Sequence, residues 1–186
     1  MKLYSFRNYV IAVTVVYSFN REKLRQLINN LDEINAEIEP NEVQLFNADN
    51  ILDETHLKVA LVNAVMSFNS PNRVAKTLRM EILLKLSATD QIREAIAKLG
   101  VAYENTKVGI IGIAYTMDEA REIVEKIKTE LGNVTELKIP ELSGERATRL
   151  AMFYGISREE LESTQASNHI EALKLALAHR IATTRL

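Results

Sequence analysis

The chain has 186 residues, of which 47% are apolar and 26% are charged, and its formal net charge is −2. This composition fits one soluble domain over residues 1–186 with its own hydrophobic core, and no apolar stretch is long enough to predict a membrane span. The absence of cysteine excludes disulfides, thiolate metal sites and thiol nucleophiles, and it is compatible with a cytoplasmic protein. The first residues lack the apolar run of a signal peptide, so we expect none.

Strands and helices alternate along most of the chain, and the last part is helical. Runs rich in Val, Ile, Thr and Tyr predict strands over residues 9–19, 43–46, 107–115 and 134–139. Apolar residues at three- and four-residue steps predict helices after the caps Asn20 and Asp53, over residues 78–86, before Gly100, and over residues 117–131, 145–154 and 170–183. Capping boxes are predicted at Ser87 with Asp90, Thr116 with Glu119, and Ser157 with Glu160.

These elements predict an α/β (α+β) fold, in which one compact, helix-rich domain surrounds a small sheet of about four strands. Gly109 and Gly112 lie inside a predicted strand, where they indicate close packing or a bulge rather than a phosphate-binding loop.

Short motifs of catalytic or metal-binding chemistry are missing. His56 follows Asp49 and Asp53 at a spacing that could form a ligand cluster, although a His near a helix start is more often a surface or capping residue. We therefore predict no catalytic residues, no cofactor, no metal and no small-molecule substrate. A small enzyme that lacks any short motif is a remaining alternative, which would need a deep pocket with convergent polar groups.

The longest specific pattern lies between Phe46 and Gly100. It consists of Ala48-Asp49, His56-Leu57, Ala60, Ala64, Glu81-Ile82-Leu83-Leu84, Ser87, Thr89, Gln91-Ile92, Ala95 and Gly100. This pattern resembles the PRPK-binding protein family, the small accessory subunits of the KEOPS (EKC) complex. The strand over residues 108–114 and the helix ending Arg180-Ile181-Ala182 also fit this family. Asp90 departs from the pattern, because the family usually has a basic residue there.

The resemblance implies a non-catalytic, cytoplasmic accessory subunit. KEOPS makes the threonylcarbamoyl modification on the adenosine next to the anticodon of tRNA, and catalysis belongs to a separate ATPase-like subunit. Members of the family bind the small atypical kinase/ATPase subunit at its N-terminal lobe. They also recruit tRNA by gripping its single-stranded 3′ CCA end.

The distribution of charge suggests where RNA would bind. Residues 32–54 carry eight acids and no Lys or Arg, whereas residues 58–85 carry five bases and one acid. A single-stranded end needs a few bases for its phosphates and apolar or aromatic platforms for its nucleobases. The predicted tRNA contacts are His56, Lys58, Arg73, Lys76 and Arg79. Phe68 is a further stacking candidate, with the core as its alternative, and the bases are alternatively solvated helix faces.

A kinase contact requires apolar side chains beyond those of the core. The candidates on the C-terminal helices are Leu150, Phe153, Ile170, Leu173 and Leu177, and the alternative is that all five are core residues. Glu81, a charged residue beside an apolar run, is expected to bond a helix terminus or a neighbouring base. Ser87, Thr89 and Gln91 are expected to satisfy backbone groups at a corner between helices. The alternative function is a protein-interaction module that regulates a kinase without contacting RNA.

Overall fold

The computed structural model describes residues 1–71, 73–139 and 141–184. They divide into two compact units, Met1–Asp49 with Gly100–Lys138, and Asn50–Leu99 with Ile139–Leu186. Within the described part of the chain, every helix is too short or too polar to cross a membrane. The single domain over residues 1–186 stays a prediction.

The elements confirm the predicted helix-rich α+β class. The strands are β1 Lys2–Phe6, β2 Tyr9–Tyr17, β3 Glu42–Asn47, β4 Val108–Ala114 and β5 Thr135–Leu137. The helices are α1 Arg21–Asn29, α2 Leu31–Glu37, α3 Glu54–Phe68, α4 Leu78–Leu86, α5 Ile92–Leu99, α6 Met117–Leu131, α7 Gly144–Tyr154, α8 Arg158–Ser163 and α9 His169–Thr183. A 3-10 turn, Ala48–Asn50, follows β3.

The first unit is built on an antiparallel five-stranded sheet. The strand order is β1-β2-β4-β3, and β5 also pairs with β2. β2 and β3 therefore run parallel to each other with β4 between them, and β4 and β5 are parallel with β2 between them. These are two interleaved split β-α-β motifs, the arrangement of ferredoxin-like folds.

Helices α1 and α6 lie over one face of this sheet. Leu24 and Leu27 of α1 pack in one cluster with Val124 and Ile127 of α6 and with alternate strand residues such as Ile110. The close approach of helix to sheet depends on Gly112, because a Cβ at that position would lie 2.7 Å from the carbonyl oxygen of Ala120. The prediction that a strand glycine permits close packing is thus confirmed.

The edge strand β3 is protected by a side chain. The amide of Asn35 in α2 accepts a hydrogen bond from the N–H of Val43 at 2.8 Å and donates to the carbonyl of Val43 at 3.1 Å. The side chain of Gln44 donates to the carbonyl of Leu45 at 2.7 Å. These bonds engage polar backbone groups that an edge strand otherwise offers to another chain.

The second unit is helical. α3 packs against α4 and α9, and α9 also contacts α7 and α8. The buried faces of α3 and α4 carry Leu57, Ala60, Leu61, Ala64, Leu78, Ile82 and Leu86.

The predicted cap at Ser87 is wrong. Ser87 ends α4 instead of opening α5, because its hydroxyl donates back to the carbonyls of Leu83 at 2.8 Å and Leu84 at 3.0 Å. The hydroxyl of Thr89 accepts from the N–H of Gln91 at 3.3 Å and donates to Glu94 at 2.8 Å. The expectation that Ser87 and Thr89 satisfy groups at a helix corner is confirmed. The capping box at Thr116 and Glu119 is present as predicted.

Candidate functional site

Side chains of α7 hold Asn50, the last residue of the 3-10 turn, and the irregular segment 51–53 that leads to α3. Arg146 donates to the carbonyl of Leu52 at 2.7 Å and to the carbonyl of Ile51. Arg149 donates to the side-chain oxygen of Asn50 at 3.1 Å, and the Tyr154 hydroxyl lies 2.8 Å from the carbonyl of Asn50. Buried backbone groups outside regular structure need such partners, so these α7 residues fix the segment that precedes α3.

His56 lies against the same segment and is 5% exposed. The backbone N–H of Leu52 donates to His56 Nδ1 at 3.1 Å, so Nε2 carries the proton and donates to the carbonyl of Leu86 at 2.9 Å. Burial lowers the pKa of His56 to about 4, although the Leu86 carbonyl and Asp53 oppose this shift. The ring is therefore neutral, and it links the segment before α3 to the end of α4. With both nitrogens engaged and no exposed face, it cannot make the tRNA contact predicted for it.

Both carboxylate oxygens of Asp53, a member of the possible ligand cluster with Asp49 and His56, are engaged by protein groups. One carboxylate oxygen accepts the N–H of His56 at 3.0 Å as the cap of α3, and the other pairs with Lys174 at 2.8 Å. The hydrogen bond that Lys174 donates to Asp53 raises the pKa of Lys174. Among residues 1–71, 73–139 and 141–184, no three potential ligands come together in a group that could hold a metal ion.

The connection between α3 and α4 carries two of the predicted phosphate contacts, Arg73 and Lys76, and we call its residues 69–71 and 73–77 the basic turn. It is organised by Glu81, which is only 1% exposed. One carboxylate oxygen of Glu81 accepts from the hydroxyl of Ser67 at 2.6 Å, at the end of α3, and the other accepts from the N–H of Ala75 at 3.0 Å. The buried carboxylate thus ties the turn to the last turn of α3.

The basic turn presents two of the predicted bases to solvent. Arg73 is exposed, and its guanidinium lies 5.0 Å from the ring centroid of the half-buried Phe68. Lys76 is also exposed. A guanidinium stacked on a ring keeps its N–H donors directed outward in the plane, where they can bind phosphate.

The other two predicted bases lie on the flanking helices. Lys58 is exposed on α3 and pairs with Glu54 at 2.9 Å, which partly neutralises its charge. Arg79 is half-buried in the first turn of α4. The structure thus places Arg73 and Lys76 on one turn, with Arg79 directly after it in the chain, and Lys58 on a separate helix.

The predicted kinase contacts divide into two groups. Leu150, Leu173 and Leu177 are at most 1% exposed, so the core alternative is correct for these three. Phe153 and Ile170 are half-buried. The exposed apolar residues of the same helices are Met152, at 78% exposure, and Leu175, at 43%.

Several polar residues of the second unit were not among the predicted site residues. Arg146, Arg149 and Tyr154 support residues 50–52 from about a hundred positions away, so no local pattern indicates them. Lys85 is buried in α4 and donates to the carbonyl of Thr184 at 2.6 Å. Burial lowers its pKa, whereas the nearby Glu81 and Asp90 raise it. The sequence signal that could have identified Lys85 is its position as a charged residue inside the apolar run of α4.

We expect Glu81→Ala to lower the free energy of unfolding by about 2 kcal/mol, because it leaves the buried N–H of Ala75 without an acceptor. Glu81→Gln should lose about 1 kcal/mol or less, since its amide can accept from Ala75 and donate to the Ser67 hydroxyl. Urea unfolding measures both, and limited proteolysis shows whether cleavage moves to the basic turn. Equal losses for the two variants would show that hydrogen bonding by residue 81 does not hold the turn.

Similarity to a known protein family extends over most of the chain. A family model described as "Kinase binding protein CGI-121" matches residues 20–184, which include most of both units. A comparison with curated proteins gives no match.

Proposed function

This chain belongs to the CGI-121 family of kinase-binding proteins, and we propose that it is a non-catalytic, cytoplasmic subunit of the KEOPS complex. In this role it binds the small atypical kinase/ATPase subunit. It also recruits tRNA through the 3′ CCA end for the threonylcarbamoyladenosine modification next to the anticodon.

The observation that carries the RNA part of this proposal is the basic turn. Arg73 stacks on Phe68, and the buried Glu81 fixes the backbone of the turn, so the cations are positioned before any ligand arrives. Preorganised cations beside an aromatic ring suit a short single-stranded end, whose phosphates need charge and whose bases need a stacking surface. The net charge of −2 is no obstacle, because only a few nucleotides would be held here.

For the kinase contact, we propose the exposed apolar side chains of α7 and α9. Met152 and Leu175 are exposed, and Phe153 and Ile170 are half-buried on the same two helices. Exposed Met side chains adapt well to a partner surface, and a few anchor residues, often aromatic, carry most of the binding energy of protein interfaces.

The experiment is fluorescence anisotropy of the purified chain with one full-length tRNA and with the same tRNA lacking its terminal CCA, at two salt concentrations. We expect only the full-length tRNA to bind tightly, and its affinity should fall with salt because cations are displaced from phosphates. The Arg73→Ala/Lys76→Ala double variant should bind the full-length tRNA about ten-fold more weakly and show a shallower salt dependence.

The matched control is Arg158→Ala, which removes one exposed positive charge from α8 of the same unit, where Arg158 pairs with Glu162 at 2.7 Å. This variant should bind both tRNAs like the wild type. If the two tRNAs bind the wild-type chain equally, or neither binds, the proposal of 3′-end recruitment is wrong.

A second candidate function is a kinase-regulating interaction module that does not touch RNA. It is favoured by the net charge of −2 and by the eight acids of residues 32–54. This function predicts co-purification with the kinase subunit, no measurable binding of either tRNA, and no effect of Arg73→Ala on the kinase complex.

A further inference from the structure

Two arginines of the first unit stack on aromatic rings at the start of α1. The guanidinium carbon of Arg21 lies 5.5 Å from the ring centroid of Phe19, and that of Arg25 lies 5.6 Å from the ring centroid of Tyr103. Both arginines are exposed, and Tyr103 is 47% exposed. We call Phe19, Arg21, Arg25 and Tyr103 the arginine–aromatic patch.

The loop that carries Tyr103 is fixed to α1. One guanidinium nitrogen of Arg21 donates to the carbonyl of Tyr103 at 2.7 Å and to that of Asn105 at 2.5 Å. The side chain of Asn105 in turn accepts from the N–H of Ala102 at 2.6 Å, which closes the loop on itself. The ring of Tyr103 is therefore held in place, with Arg25 beside it and about half of its surface open to solvent.

Several arginines elsewhere in the described residues pair with carboxylates. Arg121 pairs with Asp118 at 3.4 Å, Arg158 with Glu162 at 2.7 Å and Arg180 with Glu160 at 2.5 Å. Within the part of the chain that the structure describes, neither Arg21 nor Arg25 has a carboxylate at ion-pair distance.

The spacing of these two arginines also bears on their role. They stand four positions apart on one helix face, an arrangement in which like charges repel. Because neither cation has a carboxylate partner, a negatively charged ligand would relieve the repulsion between them.

We infer that the arginine–aromatic patch is a second RNA-binding surface, which holds a phosphate at Arg25 and stacks an unpaired base on the open side of Tyr103. A single-stranded segment is the ligand that needs both groups, because a paired base has no free face to stack. An acidic protein would engage the arginines but would not require the ring. The inference extends the proposed tRNA-binding role from the basic turn of the second unit to a separate contact in the first unit.

The test uses the full chain, full-length tRNA and tRNA lacking its CCA end. If the patch binds RNA, Tyr103→Ala and Arg25→Ala should each weaken binding of both tRNAs by the same factor, about 5-fold or more, because the patch is independent of the 3′ end. Tyr103→Phe keeps the stacking ring and should bind within about 2-fold of the wild type. Arg121→Ala removes an exposed arginine of the same unit and should have no effect.

The outcomes separate this inference from the proposed function. If the CCA end matters but Tyr103→Ala and Arg25→Ala bind both tRNAs like the wild type, the patch inference is overturned and the 3′-end proposal stands. If removing the CCA end leaves the tRNA affinity unchanged while both patch variants lose affinity, the patch inference is supported and the proposal of 3′-end recruitment is wrong. Loss of binding to the kinase subunit with unchanged RNA affinity would identify a protein-binding surface and overturn the inference.

Circular dichroism melting curves check that each variant folds. Should Tyr103→Ala unfold, Arg25→Glu decides the question, because this exposed change reverses the charge while leaving the Tyr103 loop and its Arg21 anchor intact. If the patch binds phosphate, Arg25→Glu weakens binding of both tRNAs more than Arg25→Ala does. Wild-type affinity for Arg25→Glu would overturn the inference.

Discussion

Replacing Gly109 by Ala should lower the free energy of unfolding by about 3 kcal/mol, which is a large fraction of the stability of a chain of this size. Gly109 lies in the middle of the sheet, directly opposite Phe46 in the register of β3 and β4. A Cβ at position 109 would stand 2.0 Å from the ring carbon Cζ of Phe46. The ring is 1% exposed and tightly surrounded, so it cannot move aside without displacing other core side chains.

Two further variants test whether the contact between position 109 and the Phe46 ring causes the loss of stability. Gly144→Ala is the matched control, because a Cβ at the start of α7 meets no atom within 4 Å, and we expect no loss of stability there. In a Phe46→Leu background, which lacks the ring atoms nearest to position 109, Gly109→Ala should have an effect smaller by at least about 1 kcal/mol.

Urea unfolding of the four chains completes this double-mutant cycle. If Gly109→Ala is equally destabilising with Phe or Leu at position 46, the loss does not arise from the ring, and backbone effects within β4 would have to account for it.

Gly109 and Gly112 show which part of the packing can be predicted from the sequence. The run of residues 107–115 predicts a buried strand, and two glycines inside it predict close packing, both of which the structure confirms for β4. The identity of the packing partner is not predictable, because Phe46 lies 63 positions earlier and the pairing of β3 with β4 is a property of the whole sheet.

Two elements, β1 and α2, escaped prediction because their local sequence signals are absent or hidden. β1 pairs with β2 across the two-residue turn Arg7-Asn8, and Arg7 adopts a positive φ of 49°, which a residue other than glycine rarely does. Since the turn lacks glycine, the usual sequence mark of a hairpin is absent. α2 follows α1 with only Asn30 between them, so one continuous periodicity hides the boundary.

The charged residues of the candidate site could be predicted from the sequence, but the residue that holds their turn in place could not. Arg73 and Lys76 are exposed bases on a turn, as composition suggests, and the structure adds that Glu81 fixes the turn. His56, Leu150, Leu173 and Leu177 show the limit of such reasoning. A titratable or apolar residue on a helix is equally compatible with a surface and with a core, and only the packing of α3, α7 and α9 decides between them.

His56 should make the stability of the protein fall as the pH decreases below about 6.5. Burial lowers its pKa from 6.5 in the unfolded chain to about 4 in the folded one. Between these values the unfolded chain binds a proton that the folded chain does not, so acid favours unfolding. The loss should be about 2 kcal/mol between pH 7 and pH 5, and it approaches about 3 kcal/mol near pH 4.

The structural reason for this loss is the hydrogen bonding of the ring. Nδ1 is the site that must take the added proton, yet it accepts the N–H of Leu52 at 3.1 Å. Protonation would therefore break that bond, place two N–H groups face to face, and bring a positive charge close to Arg146, whose own charge lowers the pKa of His56. The irregular segment that precedes α3 would loosen as a consequence.

Urea unfolding at pH 7, 6 and 5 tests this expectation against His56→Ala and against His179→Ala, which removes an exposed histidine from α9. His56→Ala is less stable than the wild type at pH 7, but the difference between the two should shrink toward pH 5, because only in the wild type does the unfolded chain bind a proton at position 56 that the folded chain does not. His179→Ala should follow the wild-type dependence on pH. If the wild type and His56→Ala lose the same stability over this range, another group causes the loss. The neutral imidazole of His56 is then not the acid-sensitive group of the second unit.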